Sequence, residues 1–146
     1  MSALTSFLSS DAQKRVVLAI KEAELNTSGE IRIHLEPKCK GDAMERAFYL
    51  FKRLKMDETQ QRNGVLIYIA FKSHDVAVIA DEGINRVVSV DYWRGVCDTL
   101  QERFSEGESE KGLVTAILKI GDELKHYFPY NKDDINEQSD EISIGE

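Results

Sequence analysis

The sequence predicts an α/β domain, a small mixed sheet with helices on both faces. Three observations predict it. Residues 65–71 and 76–80 are almost wholly apolar and are joined by the short polar turn Lys72-Ser73-His74-Asp75, which is the pattern of two buried antiparallel strands. Residues 30–36 alternate, with Ile31, Ile33 and Leu35 facing one way and Arg32, His34 and Glu36 the other, as a half-buried strand does. Four further stretches carry apolar residues at helical spacing, in the order helix, strand, helix, strand, strand, helix, helix.

Each element has a local reason. Ser10 and Gln13 read as a capping box before the stripe Ala12, Val16, Ala19, Ile20 and Ala23, so residues 11–25 are expected to form an amphipathic helix. Asn26-Thr27-Ser28-Gly29 breaks that helix, and the alternating strand follows. Pro37 ends the strand. Asp42 and Glu45 make a second capping box, and Met44, Ala47, Phe48, Phe51 and Leu54 form the stripe of a helix reaching about residue 55. Residues 56–63 read as a polar loop, and residues 64–71 are too apolar to be anything but a central strand. Trp93, Val96, Cys97, Leu100 and Phe104 mark a third helix; Leu113, Ile117, Ile120, Leu124 and Phe128 mark a fourth, stopped by Pro129.

Composition bounds the function. A chain of 146 residues with 42% apolar content supports one cored domain, placed at residues 1–128. The net charge of −7 argues against nucleic acid or an anionic membrane as partner. From residue 129 onward six acids stand against one lysine, so that stretch reads as an acidic, solvated, mobile tail, with Ile135, Ile142 and Ile144 able to let part of it pack. No segment is long and apolar enough to span a membrane, and no secretory leader is recognisable. Cys39 and Cys97 read as free thiols of a cytoplasmic protein.

Topology brings the chemistry to one edge. If the first two long strands run parallel and the third antiparallel, the strand starts at Glu30 and Gly64 and the exit at Asp81 share one sheet edge. Glu30, Asp57, Glu58, Asn63, Asp81, Glu82, Asn85 and Asp91 are the polar side chains available there. Oxygen donors on loops freed by Gly83 suit a hard divalent cation, calcium or magnesium. Each residue also has an ordinary structural explanation: Asp91 as an N-cap, the glycine-containing pairs as turns, Glu30 as a solvated strand end. The spacing does not match a twelve-residue calcium loop, because position twelve from Asp81 is Tyr92. His34, His74 and His126 are too scattered for a zinc site.

Arg62-Asn63-Gly64-Val65-Leu66-Ile67-Tyr68-Ile69-Ala70 and Ile79-Ala80-Asp81-Glu82-Gly83-Ile84-Asn85 together resemble the paired signature of the TPM domain. That family is named for a thylakoid-lumen phosphatase, a photosystem-associated protein and an acetylcholine-receptor modulator. Thr27-Ser28-Gly29-Glu30-Ile31, Tyr127-Phe128-Pro129 and Asp140-Glu141-Ile142-Ser143 fit it too, the latter two typical of short bacterial members. The resemblance implies a three-layer αβα sandwich with a mixed sheet of about four strands. It also implies two crossing loops, residues 56–63 and 81–91 here, where some members hold divalent cations. Asp81, Asn85 and Asp91, with Glu30 close by, are the implied ligands. Where longer members carry a Gly-Tyr-Gly-Leu-Glu run, this chain ends in the amide of Asn85.

The leading expectation is a stand-alone metal-binding module with a regulatory or interaction role and a protein partner not identified by the sequence. The alternative is a metal-assisted acid phosphatase, for which no nucleophile is recognisable. Cys97 and Arg103 have the spacing of a cysteine-phosphatase loop, but the five residues between them hold no glycine and two acids. A third expectation is an assembly helper without a functional metal, which Tyr92 or Trp93 exposed at a helix start would support.

Overall fold

The computed structural model describes residues 2–130 and 142–145. In chain order these form α1 (Ala3–Phe7), α2 (Ser10–Glu24), β1 (Glu30–Glu36), α3 (Ala43–Arg53), a 3-10 turn (Met56–Glu58), β2 (Gly64–Ala70), β3 (Asp75–Ala80), α4 (Glu82–Asn85), α5 (Val90–Ser105), α6 (Ser109–Tyr127) and β4 (Ser143–Ile144).

The sheet order is β3-β2-β1-β4. β1 and β2 are parallel from Glu30 opposite Gly64 to Glu36 opposite Ala70, and β3 runs antiparallel to β2 with Ala80 opposite Val65. The expected mixed sheet and the shared edge are both present. α3 is the crossover that parallel pairing requires.

One face of the sheet carries Ile31, Ile33, Leu35, Val65, Ile67, Ile69 and Val78 against α2, α5 and α6. The other carries Leu66, Tyr68, Ala70 and Ala77 against Ala47, Leu50 and Phe51 of α3 and against Met56. β2 is buried along its whole length because helices cover both of its faces. Trp93 belongs to the first of these cores, and Tyr92 is partly buried with its hydroxyl donating to the Lys119 carbonyl at 3.3 Å. Neither ring stands exposed at the start of α5.

Local details differ from expectation where a neighbour competes. α2 is capped by Ser9, whose hydroxyl accepts from the Ala12 amide at 3.1 Å, and Gln13 reaches back to the Leu8 carbonyl. α5 is capped by Ser89, which leaves Asp91 inside its first turn. The Asp42 cap is as expected, accepting from the Glu45 amide at 3.0 Å. α1 has no counterpart in the sequence reading, being only five residues long.

The larger correction concerns β1. Its polar side is not solvated: Glu30, His34 and Glu36 are all buried. Ser143–Ile144 adds as a parallel strand beside His34 and Leu35, and the Gly145 amide donates to the Leu35 carbonyl at 2.7 Å. The expected acidic tail lies mostly outside the described residues; of it, residues 129–130 and 142–145 are described. Tyr130 donates its amide to Asn26, and residues 143–144 complete the sheet.

Candidate functional site at the crossing loops

Strand register sets this site. The Glu30 amide donates to the Asn63 carbonyl, and the Asp81 amide donates to the Gly64 carbonyl, so both loops leave the sheet from neighbouring positions. They then cross. The Gly83 amide donates to the Arg62 carbonyl at 2.9 Å. A side chain at Gly83 would put its Cβ 2.2 Å from the Gln61 carbonyl oxygen and 2.6 Å from that of Arg62. Only glycine permits this backbone approach. Arg62 itself sits in the left-handed region at φ 51°, which bulky residues adopt at a cost.

Asp81 stands at the centre of the crossing. Its Oδ1 accepts from the Glu82 amide at 2.8 Å, capping the single turn α4. Both its oxygens also accept from Arg62, from Nε at 2.7 Å and from Nη2 at 2.9 Å. Asp81 is 6% exposed. Arg62, paired with Asp81 and reaching Glu82 at 3.3 Å, is held even further above its ordinary pKa. The counter-charge at Asp81 is therefore a guanidinium from the other loop. Sequence reasoning quoted Arg62 as part of a motif but missed this role.

The remaining expected residues lie around this pair. Asn85 follows one helical turn after Asp81, its amide donating to the Asp81 carbonyl and its Nδ2 to the Ala80 carbonyl at 2.7 Å. Asn63 is 1% exposed. Its Nδ2 donates to Ser28, and its Oδ1 is buried without a hydrogen-bond partner among the described residues. Glu30 is buried at the head of β1. Asp57 pairs with Lys52 of α3 at 3.1 Å, and that hydrogen bond holds its carboxyl below the usual range. Asp91 is 90% exposed and faces Arg94 across one turn at 3.7 Å. Among the described residues no three His, Cys, Asp or Glu side chains gather in a group able to hold a metal ion.

Tested against a hard cation, the crossing offers oxygen donors and, among the described residues, the unpartnered buried Oδ1 of Asn63, but both Asp81 oxygens are taken by Arg62. The charge there is already balanced by that guanidinium. The cysteine-phosphatase spacing does not form a loop, because Cys97 and Arg103 lie in the continuous helix α5. Burial pushes the Cys97 thiol up, away from the thiolate.

The family pattern of the TPM domain matches residues 2–123. The chain belongs to the TPM family. The TPM fold here is also similar to the solution structure of the BA42 protein from the psychrophilic bacterium Bizionia argentinensis. Identity is 46%, the similarity covers 95% of this chain and 96% of that one, and the TM-score is 0.87. No curated protein matches the chain. No helix of this TPM domain among the described residues is long and apolar enough to cross a membrane.

Proposed function

We propose that this TPM domain is a stand-alone regulatory or interaction module, working in a reducing, cytoplasmic compartment, whose crossing loops take a calcium or magnesium ion. The observation that carries the reading is the crossing itself, with the Gly83 amide on the Arg62 carbonyl and the nearly buried Asp81 carboxylate beside it. Asp81 and Asn85 would supply side-chain oxygens, and the unpartnered Oδ1 of Asn63 supports a third. Glu30 at the head of β1 and Asp91 in the first turn of α5 complete the proposed acid set. A bound cation would supply charge neutralisation and a tie between the loops.

The chain's own residues define the resting state. Arg62 neutralises Asp81, and the strained backbone at Arg62 places its carbonyl on Gly83. An ion competing for Asp81 releases the guanidinium. Loop order then depends on cation concentration, and binding only the folded state stabilises it by roughly 2.7 kcal/mol at a hundredfold excess over Kd. The two free thiols, Cys39 and Cys97, support the reducing compartment.

Titration of calcium or magnesium chloride into isotope-labelled protein, against matched sodium chloride, tests the reading by NMR. Amide signals of Arg62, Gly83 and Asn85 are expected to move with the divalent salts only, and to stop responding in Asp81→Asn. Signals that stay in place at millimolar divalent salt overturn it.

A further inference from the structure

A second surface stands apart from the crossing loops. α3 buries Ala47, Leu50 and Phe51 against the sheet, while Met44, Phe48 and Tyr49 on its outer side are 51%, 54% and 52% exposed. Scattered single exposed apolar residues are ordinary, but three within six positions of one helix form a patch. At 100° per residue, Phe48 and Tyr49 lie to either side of the row that runs from Glu45 to Lys52. Together with Arg53 these residues line a shallow open depression.

The rings are held in place by cations. Lys52 Nζ sits 5.5 Å from the Phe48 ring centre, and the Arg46 guanidinium 5.4 Å from that of Tyr49. Arg46 is itself fixed by two hydrogen bonds to Glu36. Such contacts reduce the side-chain freedom a partner would otherwise have to remove. The charge is unusual too. Between Lys38 and Lys55 six basic residues stand against two acids, in a chain whose net charge is −7; of the six, Arg46 pairs with Glu36 and Lys52 with Asp57 from outside that stretch.

We propose that the outer face of α3 docks an acidic protein segment, one apolar side chain lodging between Phe48 and Tyr49 and carboxylates meeting Arg53 and, in exchange for Asp57, Lys52. Glu45, at the N-terminal end of the depression, sets the direction by repelling carboxylates from that half. Charge complementarity favours a short segment over a bilayer. A segment senses the local field within about 8 Å at physiological salt. An anionic membrane presents a broad surface to the whole acidic chain and is repelled by it. Aromatic and arginine side chains around an open centre are the composition of interface hot spots.

The probe is a synthetic twelve-residue peptide alternating glutamate with leucine and phenylalanine, titrated into the full isotope-labelled chain. Its counterpart has lysine for every glutamate. Phosphatidylglycerol vesicles form a third arm, and dilution of the protein alone a fourth. The expected result is shifts confined to α3 with the glutamate peptide, weakened about tenfold in the double variant Phe48→Ser, Tyr49→Ser. Both positions are exposed, and an unchanged melting temperature shows the variant is folded. No shift on α3, an equal response to the lysine peptide, a response to vesicles alone, or shifts that track the chain's own concentration each overturn the proposal.

Discussion

Arg62 grips Asp81 through two parallel hydrogen bonds, 2.7 and 2.9 Å long, between loops 19 residues apart in sequence. Arg62 thus stands where a competing cation would sit. Arg62→Gln removes the charge and shortens the side chain while keeping a polar end group. Calcium or magnesium is expected to bind this variant about 3- to 10-fold more tightly, as suits the loss of one partly exposed competing charge. Isothermal titration of both proteins measures it; equal affinities mean that Arg62 does not compete.

Without added cation the same pair works in the opposite sense. Asp81→Asn removes the ion pair while leaving an amide oxygen to cap α4. A loss of about 1–2 kcal/mol is expected in urea unfolding, since Asp81 is nearly buried and Arg62 about a third exposed. A change below a few tenths would make the pair ornamental.

Gly83 tests the crossing by shape alone. In Gly83→Ala the new methyl meets two carbonyl oxygens of the other loop, and backbone cannot rotate away as a side chain can. Destabilisation of about 1–3 kcal/mol is expected, with the Arg62 and Asn63 amides shifting most in NMR spectra. Gly41→Ala is a poor control because of its positive φ. Gly95→Ala, where a Cβ meets open space within a helix, is a good one and is expected to be neutral or stabilising.

Much of this architecture was legible because it is local. The wholly apolar run of β2, the four-residue turn into β3 and the helical stripes of α2, α3, α5 and α6 each carry their own period. Parallel pairing of β1 and β2 then placed Glu30, Asn63 and Asp81 at one edge. What could not be read depends on distant partners. His34 and Glu36 alternate as solvent-facing residues do, yet Ser143, 109 residues later in the chain than His34, bonds the imidazole, and Arg46 and Tyr68 hold the carboxylate. Arg62 looks like a loop cation until the fold brings Asp81 against it. Ser9 and Ser89 took the caps expected of Ser10 and Asp91 because α2 begins one residue, and α5 two residues, earlier than those caps would place them.

Beside its backbone pairing with β1, the C-terminal strand is tied down through one histidine. Glu36 is ionised and can only accept, so His34 Nε2 carries a proton toward it at 3.1 Å, and Nδ1 is left to accept from the Ser143 hydroxyl at 3.0 Å. Gly145 lies so close that an added Cβ would come within 2.7 Å of Glu36 Oε1 and 2.8 Å of His34 Nε2. Gly145→Ala is expected to detach β4, seen as faster hydrogen exchange at the Gly145-position amide that donates to Leu35. Retained protection in that variant would show that β4 tolerates the crowding.

Acid should weaken this domain in two pH windows set by the same cluster. Burial pulls the Glu36 carboxyl upward, but hydrogen bonds from Arg46, Tyr68 and His34 outweigh it and hold its pKa at about 2, against an ordinary 4.5. The unfolded chain therefore binds the proton first, and the stabilisation, fully present above about 4.5, is lost as pH falls toward 2. Its size is at most about 3 kcal/mol, reduced by solvent screening of the part-exposed Arg46 side chain. Burial also lowers the pKa of His34 below its ordinary 6.5. Again the unfolded chain protonates first, so stability begins to fall below about pH 6.5, before Glu36 contributes. Urea unfolding midpoints measured from pH 7.5 to pH 2.5 should decline in both windows. His34→Gln should flatten the upper one and leave most of the lower one, because the hydrogen bonds from Arg46 and Tyr68 to Glu36 survive it. Glu36→Gln should cost about 3 kcal/mol at neutral pH, flatten the lower one and leave the Tyr68 hydroxyl and the Arg46 guanidinium without their shared carboxylate.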